Sequence, residues 1–540
     1  MASDSDVNPL WLQFQENTLR EHAFAERDFF GLLVFHATLR NRAAMEALTP
    51  VLVGASPDIR LAQRLLLGEV PPDTLEVLCA STNPWLHYTA AKAFLRERRG
   101  KETIALAMNA PESPAAGLWA LNLIARFFKA HGEADAARDL AEISLQLHPE
   151  QTDMLALRDN TGAETPRAFY LDTQPCPAPV TFYIPAYNVE TYIRGAIEGL
   201  ARQTCPIAEV LVVDDCGSDV TIDLARNYPV RIISHQENRG LAAARNTAFR
   251  EAIGEWVGAI DTDAHPDPNY LQCAWMELEN AAPNVAGVGG RLIEAHQDTP
   301  ADLFRALHLG QDLGLHRNTD PGFLFGSNTL YRRTVVLDVG GYGEEFRTNA
   351  EDHDIGRKLR DAGHSFVFSP LLVARHQRRD TPASVLRTLW GWSYHEKRRR
   401  GLLDSWENIA AMGRANIDES VKLINADLAA GHPLAVYVDF LFLFHDTFLN
   451  LRHGEERGLL STPVRASLQH ALLRSLRDLD ARWGANLHGK VWADTQALMP
   501  VNEPPEPLPQ PFADWLVVML EDLAGLYEAL SRDLYRILAD

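Results

Sequence analysis

The sequence predicts an α/β core set between two all-helical regions, on three observations. Apolar runs of four to six residues alternate with helical stretches from Val180 onward, as parallel strands buried on both faces do. On either side, apolar residues recur instead at three- and four-residue spacing. A cluster of prolines marks the change from one pattern to the other. At about 100–200 residues per domain, the 540-residue chain has room for roughly three to four domains. The pattern shifts place them at 1–160 (helical), 161–179 (linker), 180–400 (α/β) and 401–540 (helical).

From about Trp11 to Glu150 the chain reads as successive amphipathic helices, with Leu118, Leu121, Leu123, Ile124 and Phe127 on one face. The stretch AGLWALNLIARFFKAHGEADAARDLAEISLQLHPEQTDMLAL resembles one tetratricopeptide-type hairpin, with Gly132 in its turn. A stacked array needs at least about three such units, so an irregular helical domain and a true repeat both stay open. Pro166, Pro175, Pro177 and Pro179 mark the linker. Strands follow at VTFYIPAY, EVLVVDD, VRIISH and EWVGAIDTD, each separated by a helix, and a further short strand is expected at FLF. Beyond about Pro382, helices such as VDFLFLFHDTFLNLRH and DWLVVMLEDLAGLYEALSRDLYRIL complete the chain.

With 72 Asp and Glu against 51 Lys and Arg, the net charge is −21, which disfavours nucleic acid and anionic membrane surfaces as partners. Five cysteines without a C-x-x-C pair suit a reducing compartment. The acidic N-terminus lacks the features of a secretory signal, and the most apolar stretch, Leu434 to Leu451, is interrupted by Asp439, His445 and Asp446, which are costly in lipid. A cytoplasmic protein without a transmembrane segment, or one peripheral to a membrane, is expected.

Ligands of open parallel sheets bind at the carboxyl ends of the strands. Those ends carry Pro185-Ala186-Tyr187-Asn188, then Asp214-Asp215-Cys216-Gly217-Ser218-Asp219, then Asp261-Thr262-Asp263. The second segment could simply turn the chain and cap a helix. Two carboxylates at the mouth of a buried strand repel each other, however, and a divalent ion bridging to phosphate oxygens would relieve them. Glu351-Asp352 opens a predicted helix, where acids also complement the helix dipole.

Seven segments, VTFYIPAYN, VLVVDDCGSD, ENRGLAAARN, DTD, GSNTLYRR, GGYGEEF and AEDHDIGRKLRDAG, follow one another in an order that resembles the family 2 nucleotide-sugar glycosyltransferases of GT-A-type fold. The likeness spans about residues 180 to 400. It implies a Rossmann-like, mostly parallel sheet and an inverting transfer that depends on Mn²⁺ or Mg²⁺. Pro185, Ala186 and Tyr187 would border the nucleotide base. Asp215, or Asp214 in the other register, would contact base or ribose, and Arg245 would face the nucleotide or its phosphates. Asp261 would approach ribose and metal, Asp263 would be the principal metal ligand, and His376 would face the diphosphate or metal. Asp352 would be the general base, with Glu351 shaping the acceptor site and Asp354 stabilising the helix. Gly326, Ser327 and Asn328 would floor the sugar and acceptor pocket.

Between Ala374 and Arg400, eight basic residues against two acids give a local +6. These residues could meet a phosphate-bearing ligand, or could form a solvated helix face, the reading preferred for Lys397 to Arg400. Where processive relatives carry Gln-x-x-Arg-Trp, this chain has HQRRD without the Trp, which argues against processivity. The expected acceptor is a hydroxyl on a protein or a cell-surface glycan, and the helical flanks could hold a protein partner. Two alternatives are an inactive scaffold and a nucleotidyltransferase.

Overall fold

A computed structural model describes residues 7–540 except 82, 98, 100, 101, 103–117, 131, 150, 160–178, 283, 348, 501, 502 and 504. The proline-rich linker, apart from Pro179, lies outside the described residues. The chain forms two compact units, one of residues 1–293 with 311–377, the other of 294–310 with 378–540.

The first unit is built on an eight-stranded sheet of β1 (Val180–Ala186), β2 (Glu209–Asp214), β3 (Arg231–Ser234), β4 (Trp256–Ile260), β5 (Ala264–Pro266), β6 (Val285–Glu294), β7 (Asn328–Arg332) and β8 (Ser365–His376), in the order β3-β2-β1-β4-β7-β6-β8-β5. The first four in that order are parallel, as their continuous apolar runs require; β2 and β4 are buried at every position. The other half departs from the parallel expectation: β7 runs antiparallel to β4 and β6, and β5 antiparallel to β8.

Register puts the chemistry at one edge. Asp214 is level with Ala186 and Ser234, Ile260 with Asn328, and Ala264 with His376. The antiparallel pairing of β5 and β8 therefore carries His376 to the DTD turn from 113 residues along the chain. The FLF segment, residues 323–325, is not a strand, and β7 begins only at Asn328. Its aromatics pack instead: the Phe323 ring lies 5.0 Å from that of Phe325 and 3.7 Å from His353 in the helix Glu351–Asp361.

The N-terminal helices share this unit. From the helix Pro9–Glu26, buried Gln15 donates to the carbonyls of Gln203 and Cys205, both at 2.8 Å, and accepts from the Ile207 N–H. Helices Leu118–Ala130 and Ala134–Leu147 flank Gly132, whose φ of +83° suits glycine in their turn. Asn122, Ser144 and Gln151 form a buried hydrogen-bonded set beside them, and Arg317 pairs with Asp153 and Glu277.

The second unit is helical and includes the helix Pro300–His308. The helix Val436–Glu456 is a core element, with Phe440, Phe444 and Phe448 in successive ring contact. Among the described residues no helix is long and apolar enough to cross a membrane. The basic run is largely neutralised. Arg378 pairs with Asp380, Arg379 with Asp298 and Asp302, and Arg399 with Glu396. Lys397 does not lie on a solvated face, because its ammonium is buried against Asp446 at 2.9 Å.

Candidate active site

The glycine-containing turn after β2 is held by its own acids. Asp214 accepts from the Gly217 N–H at 2.9 Å, and Asn188, with a φ of +52°, accepts from Ser218 and Asp219 across the neighbouring strand end. Asp215, 4% exposed, receives the N–H groups of Arg239 and Gly240 at 2.9 and 2.7 Å and lies 2.7 Å from His235 Nδ1. Its carboxylate thus organises the ENRG loop. Pro185 and Ala186 finish β1 and Tyr187 beyond them is half exposed, so of the three Tyr187 offers the open surface.

Arg245 is the centre of the site. It sits in the helix Leu241–Glu251, is 1% exposed, and donates from Nη1 to the Tyr183 hydroxyl at 2.9 Å and to the Gly326 carbonyl at 2.6 Å. Its other nitrogens reach Asp261 and Glu351, each at 3.5 Å, and the guanidinium lies over the Tyr342 ring. Arg245 therefore stands beneath the site rather than at its surface, joining the DTD turn to the Glu351 helix. Gly326 is required by that approach: a Cβ there would come within 2.8 Å of Nη2.

Burial, partly offset by Arg245 and reinforced by Asp263, raises the Asp261 carboxyl above the usual range. Burial likewise pushes Glu351 up to about 7, against the pull of Arg245 and with the push of Asp352. Glu351 is 4% exposed, and its Oε2 lacks a hydrogen-bond partner. Asp352, next along the helix, is half-buried and accepts from the His353 N–H. Asp354 is held below the ordinary range by ion pairs to Lys358 and Arg357 at 2.7 and 2.6 Å and serves the helix.

The backbone entering this helix is unusual. Arg347, Asn349 and Ala350 all have positive φ, a conformation costly for side-chain-bearing residues and typical of functional sites. Neighbouring segments hold it there: the Ala242 N–H donates to the Arg347 carbonyl, and Arg347 donates to Asn238. Asn246 brackets Tyr342, accepting from its N–H and donating to its carbonyl. Arg239 pairs with Glu344 at 2.8 Å. The ENRGLAAARN and GGYGEEF segments are thus two halves of one clamp.

On the opposite side of Asp261, Asp263 Oδ2 lies 3.2 Å from His376 Nε2. One carboxylate and one imidazole at this distance can share a divalent ion, leaving further positions for phosphate oxygens. The donor chemistry fits such an ion, with Asp263 and His376 the adjacent pair and Asp261 turned toward Arg245. Ser327 donates to Gln311, and buried Asn328 donates to the Arg291 carbonyl at 2.8 Å. Both side chains are therefore engaged by neighbouring segments.

Tyr183, Tyr342, His235 and Asn246 are site-forming residues that the sequence reading did not single out. Tyr183 was hidden in an apolar strand and Tyr342 among turn glycines. His235 and Asn246 each flank a recognised segment.

The curled mixed sheet, with acidic strand ends above a buried arginine, is of the GT-A class of fold. Residues 181–340 match the family model described as glycosyl transferase family 2, and this segment is a domain of that family. It is 26% identical over 243 residues to the pre-mycofactocin glycosyltransferase of Mycobacterium tuberculosis, covering 42% of this chain and 50% of that protein. It is 33% identical over 156 residues to the succinoglycan biosynthesis protein ExoO of Rhizobium meliloti, covering 28% and 43%. The chain spans about half the length of the curated relatives it matches. Among solved structures, the mannosyltransferase PcManGT from Pyrobaculum calidifontis, in complex with GDP-Man and Mn²⁺, is similar at a TM-score of 0.31 and 18% identity, covering 76% of this chain and 99% of that one.

Proposed function

We propose that this site transfers a sugar from a nucleotide diphosphate donor, a uridine diphosphate sugar first among them, to an acceptor hydroxyl on a protein or cell-surface glycan. The transfer depends on a divalent cation and inverts the anomeric carbon. The observation that carries this reading is the joining of Asp261 and Glu351 through one buried arginine, which sets a cation-binding turn beside a carboxylate-bearing helix start.

Asp352 accepts the proton of the acceptor hydroxyl as that oxygen attacks the anomeric carbon and the bond to the diphosphate oxygen breaks. Its partial exposure suits a base that must meet an incoming acceptor. Glu351, held inward by Arg245, fixes the helix start and so the direction of Asp352. Asp263 and His376 would hold the cation, and a bound Mn²⁺ or Mg²⁺ would neutralise charge on the departing diphosphate. Tyr187, at the mouth of β1, offers a face for the nucleotide base.

The test pairs two variants. Asp352→Asn should abolish transfer while leaving nucleotide-induced thermal shifts nearly intact; full turnover by this variant would overturn the base assignment. Asp263→Ala should lose the Mn²⁺-dependent part of the shift. Release of pyrophosphate rather than nucleoside diphosphate from wild-type enzyme would refute the transfer itself.

A further inference from the structure

The helical unit holds a second cluster of metal-ligating side chains, remote in sequence from the DTD turn. His308 ends the helix Pro300–His308, Asp427 lies in the last turn of Trp406–Ala430, and Asp439 lies in the first turn of Val436–Glu456. His308 Nε2 is 2.8 Å from Asp427 Oδ2 and 3.7 Å from Asp439 Oδ1. One donor atom from each residue falls within 4.8 Å of the other two, a spacing that no other such group reaches among the described residues.

Two features set this cluster apart from an ordinary acidic patch. It is buried: Asp439 is 0% exposed and Asp427 4%. Moreover, neither oxygen of the Asp439 carboxylate receives an N–H or O–H donor within hydrogen-bond distance, its polar neighbours being the Asp427 carboxylate and His308 at 3.7 Å. A buried carboxylate without a donor is costly, and native interiors rarely leave one so. The spacing also suits an ion. Ligands at about 2.0–2.2 Å in a tetrahedral array stand about 3.4 Å apart, between the two separations found here. The His308 side chain, 17% exposed, gives an ion a way in.

We infer that His308, Asp427 and Asp439 bind a divalent transition-metal ion, with Zn²⁺ the best match to one imidazole and two carboxylates. The ion staples the helix Pro300–His308 to the two helices that supply the aspartates. Calcium and magnesium are disfavoured because they prefer all-oxygen ligand sets. This inference does not depend on the sugar-transfer reading, since none of its residues belongs to the candidate active site.

The test uses the full chain carrying Asp263→Ala, so that metal at the DTD turn does not confuse the count. The protein is stripped with a chelator, then titrated with Zn²⁺ alone or with Co²⁺ as a spectroscopic probe. The expected result is one tightly held Zn²⁺ per chain, a visible Co²⁺ absorption band, and a rise in melting temperature on metal addition. Adding His308→Ala or Asp439→Asn should weaken binding at least tenfold and remove both the band and the rise. No Zn²⁺ retained and no Co²⁺ band in the Asp263→Ala chain would overturn the inference even if the further variants fail to fold. Unchanged Zn²⁺ affinity in Asp439→Asn would overturn it as well. So would an Asp439→Asn protein more stable than its parent and indifferent to metal, because the two aspartates would then simply share a proton.

Discussion

Replacing Arg245 with Met removes the charge while keeping much of the side-chain length, and so tests whether this residue holds the site together electrostatically. Two carboxylates, each 3.5 Å from the guanidinium, would lose their buried counter-charge, and the Tyr183 hydroxyl and Gly326 carbonyl would lose a donor. Removing one member of a buried ion pair costs about 3–5 kcal/mol. At roughly 2 °C per kcal/mol for a large domain, the melting temperature should fall by roughly 6–10 °C. The loss should also depend on pH. Without Arg245, Asp261 and Glu351 bind protons more readily in the folded protein, so the deficit should shrink between about pH 8 and about pH 5. Melting curves followed by near-ultraviolet circular dichroism at both values measure this. Arg245→Met/Glu351→Gln, which removes one uncompensated charge, should recover part of the loss, and a cycle of the four proteins isolates the coupling. An Arg245→Met protein melting within about 1 °C of wild type, or a double variant no more stable than the single one, would refute the charge-compensation argument.

Three further outcomes are expected. Burial pushes the Glu351 carboxyl up to about 7 from an ordinary value of 4.5, so between those values the folded state should bind more protons than the unfolded state. Its contribution to stability is therefore lost as pH rises through that window, and Glu351→Gln should flatten this part of the pH–stability curve; parallel curves would count against the assignment. Gly326→Ala forces a methyl group to within 2.8 Å of Arg245 Nη2, and should lower both melting temperature and transfer rate, which thermal melts and initial rates would check. The active-site pair is the third: Asp352→Asn abolishes turnover and Asp263→Ala abolishes the cation-dependent nucleotide shift, each read separately.

The sequence made the parallel half of the sheet legible, because strands buried on both faces show as uninterrupted apolar runs ending in polar residues. The other half carried no comparable signal. Antiparallel β7 begins at the polar Asn328, whereas the more apolar FLF segment stacks on His353 and never joins the sheet. Among the site residues, proximity in sequence revealed Asp261 with Asp263 and Glu351 with Asp352. It could not reveal that Arg245 lies between the two pairs, since that depends on sheet register and on the clamp built from Asn246 and Tyr342. Lys397 was misread for a related reason: within KRRR it looks solvated, and only the packing of helices 49 residues apart buries it against Asp446.

The placement of the acids also bears on how a chain so rich in carboxylates could host the diphosphate of the proposed donor. Several acids at the strand ends and helix start are consumed internally: Asp214 by Gly217, Asp215 by the ENRG loop, and Asp354 by Lys358 and Arg357. They set backbone shape. Of the remaining four, Asp261 and Glu351 flank a single guanidinium with Asp263 and Asp352 as their neighbours, and burial, reinforced by those neighbouring carboxylates, raises Asp261 and Glu351 above the usual range. A diphosphate cannot approach such a cluster favourably by itself, because like charges at low dielectric repel strongly. On the reading proposed above, a divalent ion held by Asp263 and His376 would reverse the local sign on the side of the diphosphate. The same ion would then serve both binding and catalysis, so removing Asp263 should be felt in nucleotide affinity before it is felt in the chemical step.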